Sequence, residues 1–352
     1  MRHLSRTLGM FVLSLAAACS ASVEDSAYDP TSEAESSPQA LGSDCKIDPD
    51  GSAYCAQTAV ATVLGREVYY RLGVNSGPGY DAATGRHAAV VLFQGTSPQE
   101  NPLNLSGGQN GPGATWSKSL PKPGSFAVWH QIATVIALID AGYTVIQPAA
   151  RFQCTAGCGY YWDSNIPFTW TNAAGTDKPL VGELIARLQP SATTFGAIDI
   201  HHVYAMGISS GGYMSSRMAN EFAGGVNNDS TVKSTTLPFR AVAIQSAAFQ
   251  TCGPQCRPFA ITPVKASHAP TFFLHDPKDE IVPFSGMMNY FDKLNALFQG
   301  GNAAYTVNGV RQTFLLMDPF DGTAGLPLGH QWSQELSADS GNLILEWFNS
   351  HR

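Results

Sequence analysis

The chain has 352 residues, of which 44% are hydrophobic and 13% charged, with a formal net charge of −7. That much apolar material suffices for one large domain with a substantial core, and an acidic balance without any basic run argues against nucleic acid as a partner. Past the first residues, no segment approaches the roughly 20 apolar residues of a membrane-spanning helix.

In chain order, Arg2 and Arg6 precede an apolar stretch from Leu8 to Ala18. It is too short to span a bilayer and has the flanks of an export peptide, so residues 1–18 are expected to be a signal peptide. The run Ala16-Ala17-Ala18-Cys19 also resembles a bacterial lipoprotein processing site, which makes Cys19 a lipidation candidate; ordinary small-residue cleavage is the alternative. The expected localisation is secreted or extracellular, with an outer-membrane lipoprotein as the lipidated form. Membrane attachment would then run through the N-terminus only. Residues 19–44 are rich in Ser, Ala, Glu, Asp and Pro and hold too little apolar surface to order themselves, so they read as a flexible linker. Residues 45–352 remain for a single catalytic domain.

Setting Cys19 aside leaves Cys45, Cys55, Cys154, Cys158, Cys252 and Cys256, three close pairs in an exported chain, which points to disulfides in an oxidising compartment. Local pairing is the simplest connectivity, and a cross-link between the 154/158 and 252/256 loops is its rival. Neither C-x3-C pair has a histidine at ligand spacing, so no metal site is expected.

Within the domain, Gln57 to Leu64 and Glu67 to Leu72 read as an antiparallel pair turning at Gly65. Ala88 to Phe93 is a continuous apolar run, as a strand buried on both faces requires. Phe126 to Ala141 has helical spacing and stops at Gly142; Tyr143 to Gln147 is the next strand and Pro179 to Leu188 the next helix. Then come strands at 241–245, 271–274 and 312–317, with helices at 284–298 and 341–349. Strands alternating with helices predict a mostly parallel central sheet with helices on both faces, the α/β-hydrolase fold.

The centre of that pattern is Gly207-Ile208-Ser209-Ser210-Gly211, a G-x-S-x-G placed between a strand (His201 to Met206) and a helix (Tyr213 to Ala219). This spacing builds a tight elbow that lifts a serine hydroxyl out of the sheet, which makes Ser209 the candidate nucleophile. A serine needs a base, and in this fold the chain order is serine, acid, histidine. His330, in the Gly-bearing loop between the last strand and last helix, is the expected base; His268, His275 and His351 are worse placed. The acid is expected after the strand 271–274, where Asp276, Asp279 and Glu280 offer three carboxylates in five residues. Asp279 is favoured for its short-loop position, with Asp276 bracing the loop, and Asp318 and Asp321 as outside alternatives. The expected oxyanion donors are the backbone N–H groups of Ser210 and of Thr96, the latter in the Gln94-Gly95-Thr96 turn, with the Gln94 side chain as an alternative.

The G-I-S-S-G-G-Y-M elbow, the H-D-P-K-D-E-I-V-P acid loop and the G-H-Q-W base loop together resemble the extracellular polyhydroxyalkanoate depolymerases, nearest to those acting on medium-chain polymers. The resemblance implies Ser209, Asp279 and His330 as nucleophile, acid and base, a polymeric or lipophilic ester substrate, and no cofactor. The family often has H-G where this chain has His275-Asp276, and H-G where it has Gln94-Gly95. Tyr160, Tyr161, Trp162, Phe168 and Trp170, with Met287, Met288, Tyr290 and Phe291, form clusters able to grip an apolar chain, or ordinary core. Two other functions stand as alternatives: a feruloyl or acetyl-xylan esterase, whose relatives share these boxes, and an inactive surface binding protein on a hydrolase scaffold, against which intact Ser209, His330 and Asp279 count.

Overall fold

The computed structural model describes residues 45–47, 53–55, 59–98, 129–153, 159–163, 170–189, 191–222, 239–249, 264, 268–279, 281–299, 306–307, 310–311, 313–317 and 343–352. The chain divides into two units, Met1–Ser37 and Pro38–Arg352, and every described residue lies in the second. The expected signal peptide and the whole linker, Cys19 included, lie outside the described residues.

β1 (Cys45–Ile47) and β2 (Ala53–Cys55) form an antiparallel ribbon. β3 (Ala59–Val63) and β4 (Arg66–Arg71) form the predicted hairpin. Its two turn residues, Leu64 and Gly65, both take positive φ (49° and 77°), the primed turn whose twist matches the strands. β5 (Tyr80–Asp81) pairs with the start of β6 (Arg86–Phe93), and β7 is Ser97–Pro98. α1 (Trp129–Asp140) leads into β8 (Thr144–Pro148), followed by β9 (Arg151–Gln153), β10 (Gly159–Tyr161) and α2 (Asp177–Arg187). β11 (Ile198–Ile208) runs into α3 (Ser210–Glu221), then β12 (Phe239–Gln245), β13 (Thr271–His275) and α4 (Phe284–Gln299). β14 (Thr306–Val307), β15 (Val310–Arg311), β16 (Thr313–Met317) and α5 (Leu343–Asn349) complete the described elements.

The main sheet has the order β16-β13-β12-β11-β6-β8-β4-β3, with β5 on β6. It is parallel from β16 through β8 and antiparallel at β4 and β3. Along β6 the alternation of a strand buried on both faces is explicit: Ala89, Val91 and Phe93 face one core, and Ala88, Val90 and Leu92 the other. The first core packs residues of α2, α3 and α4, among them Leu184, Met214 and Leu294; the second packs α1 and α5 through Leu138, Ile139, Trp347 and Phe348. This is the α/β-hydrolase layering, with β11 and β6 central and their carboxyl ends side by side. Chemistry in such sheets gathers at those ends.

β9 and β10 were not legible in the sequence. With β7 they form a small sheet of order β7-β10-β9, lying just beyond the carboxyl end of β6.

Candidate active site

β11 ends at Ile208, and the next residue takes φ 52°, ψ −123°, a conformation that costs a non-glycine residue on the order of 1–3 kcal/mol. That residue is Ser209. The surroundings hold it there: its N–H donates to the Gln245 carbonyl at 3.0 Å, and its own carbonyl accepts the N–H of Tyr213 at 3.0 Å. Ser209 stands at the N-cap of α3 yet makes no side-chain capping bond, so its hydroxyl is not committed to the helix. The flanking glycines are steric requirements. A Cβ on Gly207 would meet the Gly211 backbone at 2.5 Å and the Phe93 carbonyl at 2.6 Å; one on Gly211 would meet the Phe93 and Gln94 carbonyls at 2.0 and 2.4 Å.

The same contacts place the expected oxyanion turn. Phe93 pairs with Gly207 in parallel register, so Gln94-Gly95-Thr96 continues beside Ile208-Ser209-Ser210. Ser210 opens α3, where the backbone dipole favours negative charge. Gln94 is buried, and its side-chain oxygen accepts the N–H of Ala150 at 3.3 Å, which ties the alternative donor to a structural contact. Thr96 is exposed.

The acid loop leaves β13 at His275. Asp279 is 7% exposed; its Oδ1 accepts the N–H groups of Ile281 (2.9 Å) and Val282 (2.8 Å), and its Oδ2 lies 3.4 Å from His275 Nε2. Asp276 holds the turn itself, its Oδ1 accepting Lys278 N–H at 2.7 Å and its carbonyl accepting Asp279 N–H at 3.0 Å. His275 also reaches the Val282 carbonyl through Nε2 at 2.9 Å, so it braces the loop carrying Asp279. β13 is two strands from β11, with β12 between them. Glu280, Asp318, Asp321 and His330 lie outside the described residues. The chain leaves β16, the neighbour of β13, at Met317 and is described again from Leu343.

Burial decides between the two readings of the aromatic and methionine clusters. Trp162, Tyr161, Met287 and Tyr290 are between 0% and 4% exposed and belong to the core, while Tyr160, Trp170, Met288 and Phe291 pack partly buried against it. Phe168 lies outside the described residues. Among the described residues, Phe152 is the exposed aromatic here, edge-to-face with Tyr160 at 5.4 Å between ring centroids. Its signal was only a single aromatic beside an arginine, too weak to read.

Sequence reasoning also missed a buried charged cluster next to this site. Asp163 and Asp177 each accept the other's backbone N–H (2.5 and 2.7 Å), Arg151 pairs with Asp163 at 2.6 Å, and Arg66 pairs with Asp177. Burial pushes the Asp177 carboxyl up, and the nearby Asp163 charge adds to this, against the pull of Arg66. Ser246, one residue past the end of β12 and beside Ser209, takes a matching φ of 47° with its N–H donated to the Leu274 carbonyl at 3.0 Å.

Of the cysteines, Cys45 and Cys55 are paired directly across β1 and β2 in backbone register; Cys154, Cys158, Cys252 and Cys256 lie outside the described residues. Among the described residues, no group of three or more His, Cys, Asp or Glu could hold a metal, and no helix is long and apolar enough to cross a membrane.

No family model matches the chain. Over 291 residues it is 31% identical to the poly(3-hydroxyoctanoate) depolymerase of Pseudomonas fluorescens, covering 81% of this chain and 80% of that protein. Among solved structures it is similar to an acetyl xylan esterase from Aspergillus awamori, at 14% identity and TM-score 0.49, covering 84% of this chain and 100% of that one. It is also similar to esterase 2 of Thermogutta terrifontis, at 12% identity and TM-score 0.42, covering 84% and 91%.

Proposed function

Because the chain belongs to the polyhydroxyalkanoate depolymerase family of α/β-hydrolase serine esterases, we propose that it hydrolyses the ester bonds of a medium-chain poly(3-hydroxyalkanoate) through an acyl-enzyme. The observation that carries this reading is the strained serine at the β11–α3 elbow, held at φ 52° between two glycines that admit no side chain. Backbone strain of this kind persists only where the surroundings over-determine it, and in this fold it presents a nucleophile.

Ser209 Oγ attacks the ester carbonyl while His330 takes its proton, and Asp279 orients the imidazole and stabilises its charged form. The N–H groups of Ser210 and Thr96 stabilise the oxyanion of the tetrahedral intermediate. Collapse breaks the ester C–O bond, and His330 gives the proton to the departing oxygen, which leaves as the hydroxyl of the neighbouring monomer. Water, deprotonated by the same histidine, then attacks the acyl-enzyme; the acyl C–O bond to Ser209 breaks, His330 returns the proton to Ser209 Oγ, and the hydroxy acid end is released. The fixed Oδ1 of Asp279 supports its role, since a carboxylate held by two backbone donors keeps one direction for its other oxygen.

Phe152, exposed on the outer strand of the β7-β10-β9 sheet with Tyr160 between it and Ser97, is the side chain that would touch a polymer strand. Residues 1–18 direct export, Cys19 carries a lipid, and Cys45 and Cys55 form a disulfide across β1 and β2. The register of those two strands supports the last of these.

The test is covalent labelling by a fluorophosphonate, run beside clearing of a polyhydroxyoctanoate film, a polyhydroxybutyrate film and feruloylated xylan. Labelling of the wild type, its loss in Ser209→Ala, and clearing of the octanoate polymer are expected. A wild type that is not labelled overturns the mechanism; release of ferulate without clearing of either film overturns the substrate.

A further inference from the structure

We propose that Trp162 is a positioning residue for ester hydrolysis: it clamps the Gln94-Gly95-Thr96 turn to Ser210 and thereby fixes the spacing of the two oxyanion donors. This rests on the reading of Ser210 and Thr96 N–H as those donors.

Each donor sits on a different segment, one at the end of β6 and one at the start of α3. The hydrogen-bonded register between β6 and β11 runs only as far as Phe93 and Gly207. Beyond it the sheet does not set how far the turn stands from the elbow. Trp162 reaches both. Its indole N–H donates to the Gln94 carbonyl at 2.9 Å, and its backbone N–H donates to Ser210 Oγ at 2.9 Å. The Gln94 carbonyl is thus held from two sides, by the indole and by the bare Cα of Gly211, where a Cβ would stand 2.4 Å away.

A clamp works only if it is itself anchored, and this one is. Trp162 is 0% exposed, its ring meets Phe93 edge-on at 5.1 Å, and the Arg66 guanidinium stacks 5.3 Å from its centroid. The next residue, Asp163, is locked to the first turn of α2 by the reciprocal bonds with Asp177 and is paired with Arg151. The charged cluster and the tryptophan therefore act in series: the cluster fixes residues 162–163, and Trp162 transmits that fixed point to both donor segments. Donors must meet the oxyanion at hydrogen-bond distance, where small displacements cost much of their effect. The orientation of the indole is set by the donor, which a phenyl ring lacks.

The experiment compares wild type, Trp162→Phe and Ser210→Ala on p-nitrophenyl octanoate, with rates normalised to sites titrated by a fluorophosphonate. Trp162→Phe keeps an aromatic ring and loses the bond to Gln94; Ser210→Ala keeps the Ser210-position N–H and loses the acceptor for Trp162. Each variant is expected to lower kcat per titrated site by about 10- to 100-fold with KM within about twofold. A trifluoromethyl ketone, which forms an anionic tetrahedral adduct, should lose affinity by the same factor as kcat/KM. A tryptophan that only fills space would lower the melting temperature and the fraction of active sites, leaving kcat per site and adduct affinity at wild-type values; that result overturns the proposal. Where Trp162→Phe does not fold, Ser210→Ala decides by the same readouts. A wild type inert toward every ester overturns the proposed function and this inference with it, whereas an active wild type with unaltered variants overturns this inference alone.

Discussion

Replacing Gly211 by alanine places a methyl group 2.0 Å from the Phe93 carbonyl oxygen, 2.4 Å from that of Gln94 and 2.5 Å from the Phe93 carbonyl carbon. All three atoms are backbone, so no side-chain rotation relieves the contact. Even a separation of 3.0 Å, below which real Cβ atoms essentially never come, requires the end of β6 and the start of α3 to part by about 1 Å. Alanine in a helix gains about 1 kcal/mol over glycine, and overpacking costs about 1–3 kcal/mol, so the net loss of stability is modest. It corresponds to a fall in melting temperature of roughly 2–4 °C in a domain of this size. The loss of activity is not expected to be modest, because the same ~1 Å separates the Ser209 elbow from the Gln94-Gly95-Thr96 turn. About 100-fold in kcat is expected. The comparison is Gly182→Ala in α2, where a Cβ would meet nothing within 4 Å; it should gain roughly 0.5–1 kcal/mol and keep full activity. The assay is p-nitrophenyl octanoate turnover per titrated site beside thermal unfolding of both variants. Full turnover in Gly211→Ala would refute the reasoning, since it would mean that the elbow and the turn do not depend on this contact.

Asp279→Asn keeps the loop bonds through one amide oxygen but removes the charge and the acceptor for an imidazolium, so kcat should fall about 10⁴-fold with the melting temperature nearly unchanged; a loss below tenfold in steady-state turnover would move the acid elsewhere. Burial holds the His268 imidazole down to about 4 from an ordinary 6.5, against the opposing bond to the Ala269 carbonyl. Its contribution to stability is therefore complete above pH 6.5 and is lost as pH falls from 6.5 toward 4, by about 3 kcal/mol in all; urea unfolding midpoints of wild type and His268→Gln across that range should differ in slope by about one proton. Phe152→Ser should slow clearing of a polyhydroxyoctanoate film several-fold while leaving turnover of p-nitrophenyl octanoate within about twofold. Parallel losses in both assays would remove Phe152 from the polymer contact.

The elements readable in advance were those whose pattern is local. Ala88 to Phe93 has no polar residue to argue against a doubly buried strand, and it lies within β6. The hairpin turning at Gly65, the strand before Ser209 and the helix beginning near Phe284 were legible for the same reason. β9 and β10 were not, because Arg151-Phe152-Gln153 and Gly159-Tyr160-Tyr161 are three residues each and make strands only by pairing with one another and with β7. The aromatic cluster at 160–162 was legible as aromatic, and whether it formed surface or core was not. Alternation along a three-residue strand does not announce which face meets protein, and here Tyr161 and Trp162 meet the core.

The order of residues along the chain therefore determined the reaction chemistry on offer: a serine framed by glycines where a strand meets a helix, and a cluster of acids after a later strand. Spacing and side-chain size suffice for that, because the elbow is a local steric problem. What only the folded structure decided is how remote segments are fixed against each other. Asp163 and Asp177 capping one another, and Trp162 bonded at once to Gln94 and Ser210, join residues up to 68 positions apart. Hydrogen bonds of that kind leave no periodicity in the sequence, since each depends on where a single donor lands after the sheet has formed.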